Sequence, residues 1–192
     1  MLKESTRPSL LAKLRSDDAS AWSDLVDLYG PLVGYWCRRG GLDPSSTADC
    51  VQEVFASVAT SIGGFVPHRG EGSFRAWLWT ITRNKIIDAG RGNPIQARGG
   101  STAAFQISQI PTAASDDDEP TGPVQMDALV RRAMAQVRVD FNTRTWTMFE
   151  RCVIDGVPTA TVADQMDATP AAVRQARSRV LRRLRQQLGD VQ

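Results

Sequence analysis

Residues 43–91 place apolar side chains at helical spacing on both sides of a Gly-rich loop, and no other feature constrains the fold as strongly. Before the loop, the apolar positions are Val51, Phe55, Val58 and Ile62; after it, they are Phe74, Trp77, Leu78 and Ile81. A period near 3.6 residues predicts two amphipathic helices, each of which buries one face. The segment therefore predicts a helix–loop–helix unit inside a larger helical core.

The ends of these two helices carry their own signals. Asp43 can cap the first helix and Pro44 suits its first position, whereas Ser73 can cap the second helix. We expect Gly63 and Gly64 to end the first helix where a left-handed residue is needed.

The other face of the second helix carries Arg75, Trp79, Arg83 and Ile86, with Asn84 at its edge. Flat rings that stack on bases and cations that meet phosphates are what single-stranded nucleic acid requires. Buried aromatic residues are common in helical proteins, so packing of Trp79 and Ile86 on a neighbouring helix is an equally open interpretation.

The charges are unevenly distributed along the 192 residues. The chain is 42% hydrophobic and 23% charged, which is typical of a packed soluble protein, and its net charge is +2. Residues 1–92 carry 11 basic and 10 acidic side chains, residues 93–125 carry 1 and 4, and residues 126–192 carry 11 and 7. Residues 169–188 contain six arginines and no acid, which indicates a polyanionic partner.

Neither the cysteines nor the acidic run predicts a metal site or a cofactor. Cys37, Cys50 and Cys152 lack metal-ligand spacing, and His68 is the sole histidine, so we expect reduced, mostly buried thiols. Residues 116–119 are four adjacent acids, which we interpret as a flexible, solvated run without fixed ligand geometry. The N-terminus resembles no signal peptide and no stretch could span a membrane, so we expect a cytoplasmic protein.

The pattern along the chain predicts an all-α protein of two small helical domains joined by a flexible linker. Residues 1–92 add helices at 8–16 and 19–39 to the two described above, and residues 93–123 form an acidic linker rich in Gly, Pro, Ser and Thr. Residues 124–192 are helical again, with helices at about 124–138 and 142–155. We expect the second of these to bury Trp146, Phe149 and Val153, with Ile154 as a further candidate.

The C-terminal part has the pattern of a helix-turn-helix. A short helix at 159–166 is followed by a tight turn at Asp167 and Ala168, after which Thr169 caps a long last helix. The buried stripe of that helix is Val173, Ala176, Val180, Leu184 and Leu188.

The exposed side of the last helix is rich in arginine. The N-terminal part of a recognition helix enters the major groove, so the candidates for base contacts are Arg174, Gln175, Ser178 and Arg179. Arg182 and Arg185 lie further along and are candidates for phosphate contacts. The alternative is an arginine face that only keeps the protein soluble.

The run D-x-x-Q-E-x-F, followed by F-R-A-W-L-x-x-I-x-R-N-x-x-x-D, resembles region 2 of bacterial sigma-70-family factors. It is most similar to the extracytoplasmic-function (ECF) subfamily. The matching residues are Asp49, Gln52, Glu53, Phe55, Phe74, Arg75, Ala76, Trp77, Leu78, Ile81, Arg83, Asn84 and Asp88. The C-terminal part resembles region 4, which reads the −35 promoter element, although this chain has Ala176 and Arg177 where family members often carry Arg and Leu.

The resemblance implies a protein that is not an enzyme, needs no cofactor, binds core RNA polymerase, directs it to promoters and helps to open the −10 DNA. It implies that Asp49, Gln52 and Glu53 contact the polymerase. It also implies that Phe65 and Asn84 line a pocket for an unstacked base, shaped by the 66–73 loop. Arg75, Trp79 and Arg83 then complete the set of −10 DNA-binding residues. Core RNA polymerase and promoter DNA are the implied partners, and an anti-sigma factor is a further candidate.

Two other classes of function remain open. A stand-alone helix-turn-helix regulator would bind DNA by itself, although it would not need an aromatic and arginine-rich helix beside a Gly-rich loop. A metal-dependent enzyme would have to use residues 116–119.

Overall fold

The structure is a computed structural model that describes residues 8–16, 18–66, 73–90 and 119–189. These residues are helical apart from turns and short connections, which confirms the all-α prediction. The helices are α1 (Leu10–Arg15), α2 (Ala19–Arg39), α3 (Pro44–Ser61), α4 (Phe74–Gly90), α5 (Pro123–Arg138), α6 (Thr143–Val153), α7 (Thr159–Gln165) and α8 (Pro170–Gln187).

Polar side chains cap the helices where the sequence predicts them. The carboxylate of Asp43 accepts hydrogen bonds from the backbone N–H groups at the start of α3, and Thr169 accepts one from Ala172 at the start of α8. Ser73 accepts a hydrogen bond from the N–H of Ala76 at the start of α4. The hydrogen bonds from the hydroxyl and backbone N–H of Ser46 lower the pKa of Asp43 from its ordinary value.

The core of the N-terminal half surrounds α2. This helix packs against α1, α3 and α4, and its inward side chains are Leu25, Leu28, Tyr29, Leu32, Val33 and Trp36. Tyr29 stacks edge-on against Phe74 of α4, with 5.3 Å between the ring centroids.

The buried stripe of α3 differs from the predicted one. Val54 and Cys50 are buried, whereas Val51 and Phe55 are only half-buried and lie at the margin of the core. The face that α3 turns to α2 and α4 is therefore centred about one residue earlier in the helical period than the apolar spacing indicates. Hydrophobicity alone misses this shift because the stripe also contains the small polar residues Thr47 and Ser61.

Two further expectations about local structure are wrong. Gly63 and Gly64 do not adopt the left-handed conformation, because the chain continues from α3 as a right-handed 3₁₀ turn over Ile62–Gly64. Val153 and Ile154 are exposed, whereas Trp146 and Phe149 are buried as predicted and Met148 is buried with them on the core side of α6. The left-handed glycine near this helix end is Gly156, with φ of 70°.

The two helical halves share one apolar core. Helix α5 packs on α2, and its inward residues Leu129, Ala133 and Val137 belong to the same cluster as the core of the N-terminal half. The predicted division of the chain at 93–123 stays a prediction, because residues 91–118 lie outside the described residues.

Backbone carbonyls of the N-terminal half accept hydrogen bonds from α5. Arg132 Nε donates to the carbonyl oxygen of Leu28 at 3.1 Å, and Gln136 Nε2 donates to that of Asp24 at 2.9 Å. Burial lowers the pKa of Arg132 from its usual value. These bonds add directional contacts to an interface that is otherwise apolar.

The C-terminal end of α8 also contacts the N-terminal half. The hydroxyl of Tyr29 donates to the carbonyl oxygen of Leu188 at 2.7 Å. Gly189 adopts φ of 72°, and a Cβ atom there would lie 2.8 Å from Cβ of Phe74. A glycine is therefore required at this point both by the backbone conformation and by the close approach of the aromatic ring.

The described residues include no helix whose length and apolar character would suit a membrane crossing. The loop over 67–72, with His68, and the acids at 116–118 lie outside the described residues.

We expect Phe149→Ala to lower the free energy of unfolding by about 3–5 kcal/mol, because it leaves a cavity beneath Trp146. Val153→Ala, on the same helix, serves as the control and should change the unfolding free energy by less than about 0.5 kcal/mol, because that side chain is 40% exposed. Urea denaturation monitored by circular dichroism measures both. Equal losses in the two variants would contradict the orientation of α6.

Candidate nucleic-acid interface

The polar face of α3 is exposed as the sequence predicts. Asp49, Gln52 and Glu53 all lie on the surface, because the opposite side of the helix carries Cys50, Val54 and Val58 into the core. Lys85 Nζ of α4 lies 3.3 Å from Glu53 Oε2, and the Glu53 side chain remains 63% exposed. An exposed ion pair of this kind is weak, so it leaves the carboxylate able to exchange partners.

The start of α4 is buried around an aromatic cluster. The ring of Phe65, which follows the 3₁₀ turn, lies 4.8 Å from the ring of Trp77 and 5.7 Å from that of Phe74, measured between centroids. Phe65 is only 8% exposed, whereas Trp77 is half-buried. In this arrangement the exposed aromatic surface near the loop belongs to Trp77, and Phe65 supports it from below.

The second face of α4 packs partly on a neighbouring helix. Trp79 packs edge-on against the buried Trp36 of α2 at 5.4 Å between centroids, and Ile86 lies against Gly40 at the end of α2. Both side chains are half-buried. Packing on the neighbouring helix therefore accounts for the apolar character of these positions, and part of the Trp79 side chain remains on the surface.

Arg75 is paired within the chain. Its Nε donates to Oε2 of Glu119, the last residue of the acidic run, and its Nη1 lies 3.7 Å from the sulfur of Met126. The Arg75 side chain is 21% exposed and the Glu119 side chain is 1% exposed. The expectation of a wholly solvated acidic run is therefore wrong at Glu119.

The candidate −10 residues do not all share one surface. Arg75 and Trp79 are four residues apart and therefore lie on neighbouring turns of α4. Asn84 is nine residues beyond Arg75, which is about two and a half turns and places it on the opposite side of the helix. Asn84 instead lies about two turns beyond Trp77 on the same side, and both Asn84 and Arg83 are exposed.

The helix-turn-helix has a small core of its own. Val162 and Ala163 of α7 pack with Val173 and Ala176 of α8 and with Met148 of α6. Ala176 is buried, so the larger residue that family members often carry there could not be accommodated without moving α7. Arg177 is exposed.

The exposed side of α8 matches the predicted face closely. Arg174, Gln175, Ser178, Arg182 and Arg185 are exposed, and Arg179 is half-buried. Arg183 lies outside this face, because its Nε donates to Asp140 Oδ2 at 2.7 Å and both side chains are largely buried. One of the six arginines therefore has an acidic partner and contributes to packing rather than to the exposed face.

Arg144 is a positioning residue that sequence reasoning missed. From the start of α6 its Nη2 donates to the carbonyl oxygens of Met166 at 2.6 Å and Asp167 at 2.8 Å, in the turn between α7 and α8. Asp167 adopts φ of 47°, which is unfavourable for a residue with a side chain. The guanidinium thus holds the turn that sets the angle of α8, and a contact over 22 residues leaves no local sequence signal.

The cysteines are free thiols in the structure, which agrees with the sequence prediction. Cys37 Sγ donates to Cys50 Sγ at 3.4 Å between α2 and α3, beneath the exposed face of α3. This hydrogen bond, together with burial, raises the pKa of the Cys37 thiol, and the same bond lowers the pKa of Cys50. In the part of the chain that the structure describes, His, Cys, Asp and Glu side chains form no group suited to a metal ion.

Comparison with known proteins identifies relatives of the chain. A family model described as Sigma-70 region 2 matches residues 25–93. The ECF RNA polymerase sigma factor RpoE of Cereibacter sphaeroides is 30% identical over 92 residues, which cover 46% of this chain and 50% of that protein. The ECF RNA polymerase sigma factor SigD of Mycobacterium tuberculosis is 26% identical over 191 residues, covering 94% and 82% respectively.

One solved structure, that of CnrH in complex with the cytosolic domain of CnrY, aligns over 91% of this chain and 92% of that chain at 20% identity. The TM-score of this alignment is 0.39.

We expect Arg144→Met to loosen the turn between α7 and α8 and to reduce stability by roughly 0.5–1.5 kcal/mol, because two carbonyl oxygens lose their donor. Amide hydrogen exchange at Ala168, whose N–H donates to the carbonyl of Ala163, should become faster. Arg131→Met, which removes an exposed arginine from α5, is the control. Unchanged exchange at Ala168 in Arg144→Met would show that the turn holds without the guanidinium.

Proposed function

Because the chain belongs to the sigma-70 family of bacterial RNA polymerase sigma factors, in its ECF subfamily, we propose that it binds core RNA polymerase, directs it to specific promoters and assists opening of the −10 DNA. The observation that carries this proposal is the occurrence, in one chain, of an exposed acidic face on α3 and an exposed arginine face on a helix-turn-helix. A sigma factor needs both surfaces, whereas a stand-alone regulator needs only the second. Its relatives are sigma factors, which are not enzymes, and we propose a binding role here as well.

The face formed by Asp49, Gln52 and Glu53 is our candidate for the contact with core polymerase. Its three side chains are exposed and present two carboxylates, so it suits a basic surface on the partner. The ion pair with Lys85 is exposed, and exchanging it for an intermolecular pair costs little.

The exposed side of α4 that carries Asn84 is our candidate for the unstacked −10 base. Trp77, supported by Phe65, offers an aromatic surface about two turns away on the same side, and the amide of Asn84 can both donate to and accept from a base edge. The pair that fits the geometry is thus Trp77 with Asn84, with Phe65 as the ring beneath.

The N-terminal part of α8 is our candidate for reading the −35 element. Arg174, Gln175 and Ser178 are exposed there, and the amide and guanidinium groups suit the edges of adenine and guanine. Arg182 and Arg185 lie two to three turns along and suit the phosphate backbone. An anti-sigma factor is a further partner that we propose from the family alone.

Run-off transcription with purified core polymerase on a genomic DNA library, followed by sequencing of the start sites, tests the proposed function. We expect start sites that share −10 and −35 elements and that depend on both proteins. Tight, specific DNA binding by the free chain with no polymerase-dependent transcription would instead show a stand-alone regulator.

We expect the double variant Asp49→Lys and Glu53→Lys to reduce co-purification with core polymerase by at least about tenfold, because two favourable charge contacts become repulsive. The double variant Asp27→Lys and Asp127→Lys changes the net charge equally at exposed sites outside this face. Equal retention of polymerase by the two double variants would remove α3 as the docking helix.

We expect Arg174→Ala and Gln175→Ala each to relax selection at particular −35 positions, since a bidentate base contact is worth about 1–3 kcal/mol of discrimination. Sequenced start sites from the run-off assay report that selection, and Arg131→Ala on α5 is the control for the loss of charge. A uniform, salt-dependent loss at all promoters would show that these side chains contact phosphates.

A further inference from the structure

The residues just before α5 form a short strap across the outer side of α2 and α4. The strap comprises Glu119, Pro120 and Thr121, and it leads into Gly122 at the start of α5. It lies against Arg75 of α4 and Trp36 of α2 and is therefore part of the packed structure.

Three linked hydrogen bonds hold the strap in place. One oxygen of the Glu119 carboxylate accepts from Arg75 Nε, and the other accepts from the hydroxyl of Thr121. The oxygen of that hydroxyl accepts a hydrogen bond of 3.1 Å from the indole N–H of Trp36. The hydrogen bonds run in a chain from Arg75 through Glu119 and Thr121 to Trp36, so they restrict one another and favour one arrangement of the strap.

The burial of Glu119 is the most informative feature of the strap. Its side chain is 1% exposed, and a carboxylate so far removed from water requires a charged partner. Arg75 supplies that partner from a distance of 44 residues along the chain. A guanidinium binds a carboxylate and a phosphate through the same donors, so Arg75 cannot give its Nε to both at once.

From these contacts we propose that the strap competes with single-stranded DNA for Arg75, on the face of α4 that also carries Trp79. Glu119 occupies the position on Arg75 that a DNA phosphate would take, and Thr121 accepts a hydrogen bond from Trp36, the residue against which Trp79 packs. A DNA phosphate can take the Nε of Arg75 only after the Glu119 carboxylate has left it. This inference rests on the proposed sigma-factor function, and on the −10 strand contact that the resemblance to region 2 implies for Arg75 and Trp79, on the side of α4 opposite Asn84.

Binding of a single-stranded DNA oligonucleotide to the full chain tests the strap. The probe is a fluorescent 12-mer of mixed sequence, and anisotropy at low salt measures its dissociation constant. We expect Glu119→Gln to raise affinity by about three- to tenfold, the range set by release of one partly buried ion pair. Asp127→Asn is the matched control, because it removes one negative charge from an exposed site on α5 and should change affinity less than about twofold.

A double-variant comparison isolates the contact itself. In an Arg75→Ala background, Glu119→Gln should give no gain, because the cation that the carboxylate masks is absent. The proposal is overturned if Glu119→Gln and Asp127→Asn raise affinity equally, if neither does, or if the gain persists without Arg75.

If Glu119→Gln unfolds the chain, the variant Thr121→Val tests the same proposal. This variant leaves every charge in place and removes the hydroxyl that links Glu119 to Trp36, so it should raise oligonucleotide affinity in the same direction. Unchanged affinity in folded Thr121→Val would count against the strap. Failure of the wild-type chain to support polymerase-dependent transcription would instead contradict the proposed function, so the two failures are distinguishable.

Discussion

Helix α2 is buried along most of its length, because α1, α3, α4 and α5 all pack around it. Its side chains bring Tyr29 against Phe74 and Trp36 against Trp79, so the orientation of α4 follows from the packing of α2. Helices α3 and α4 both turn their apolar sides toward α2, and their polar sides are therefore exposed. The side chains that α3 and α4 expose are thus set by which side chains the core buries.

The arginines of this chain show how one residue type serves different purposes. Arg183 is largely buried against Asp140, Arg144 donates to two carbonyl oxygens of a turn, and Arg174 is exposed. Each setting offers the same fork of N–H donors a different acceptor. Only the exposed arginines are available to nucleic acid without rearrangement. Arg75 is intermediate, because it is partly exposed and its acceptor, Glu119, lies on the strap.

Local patterns predicted the helices, the caps at Asp43 and Thr169 and the exposed side of α8, because all of these depend on residues within one or two turns. They failed where a distant partner decides the outcome. Glu119 ends a run of acids and has no local signal for burial, because its partner Arg75 is 44 residues away. The buried stripe of α3 is centred on Val54 because α2 and α4 both pack against that face. The burial of Phe65 likewise depends on a partner outside its own segment, since its ring lies against Trp77 at the start of α4.

The hydrogen bonds and apolar contacts between the two halves limit how far the molecule can extend. Elements centred near −10 and −35 are about 25 base pairs apart, or about 85 Å along B-DNA. A compact chain of 192 residues has a radius of gyration of only about 16 Å. While Tyr29 is bonded to Leu188 and Gln136 to Asp24, one molecule cannot span that distance. For the chain to read both elements in the function proposed above, the halves would have to separate, and the free energy of that separation would be subtracted from the affinity for a promoter.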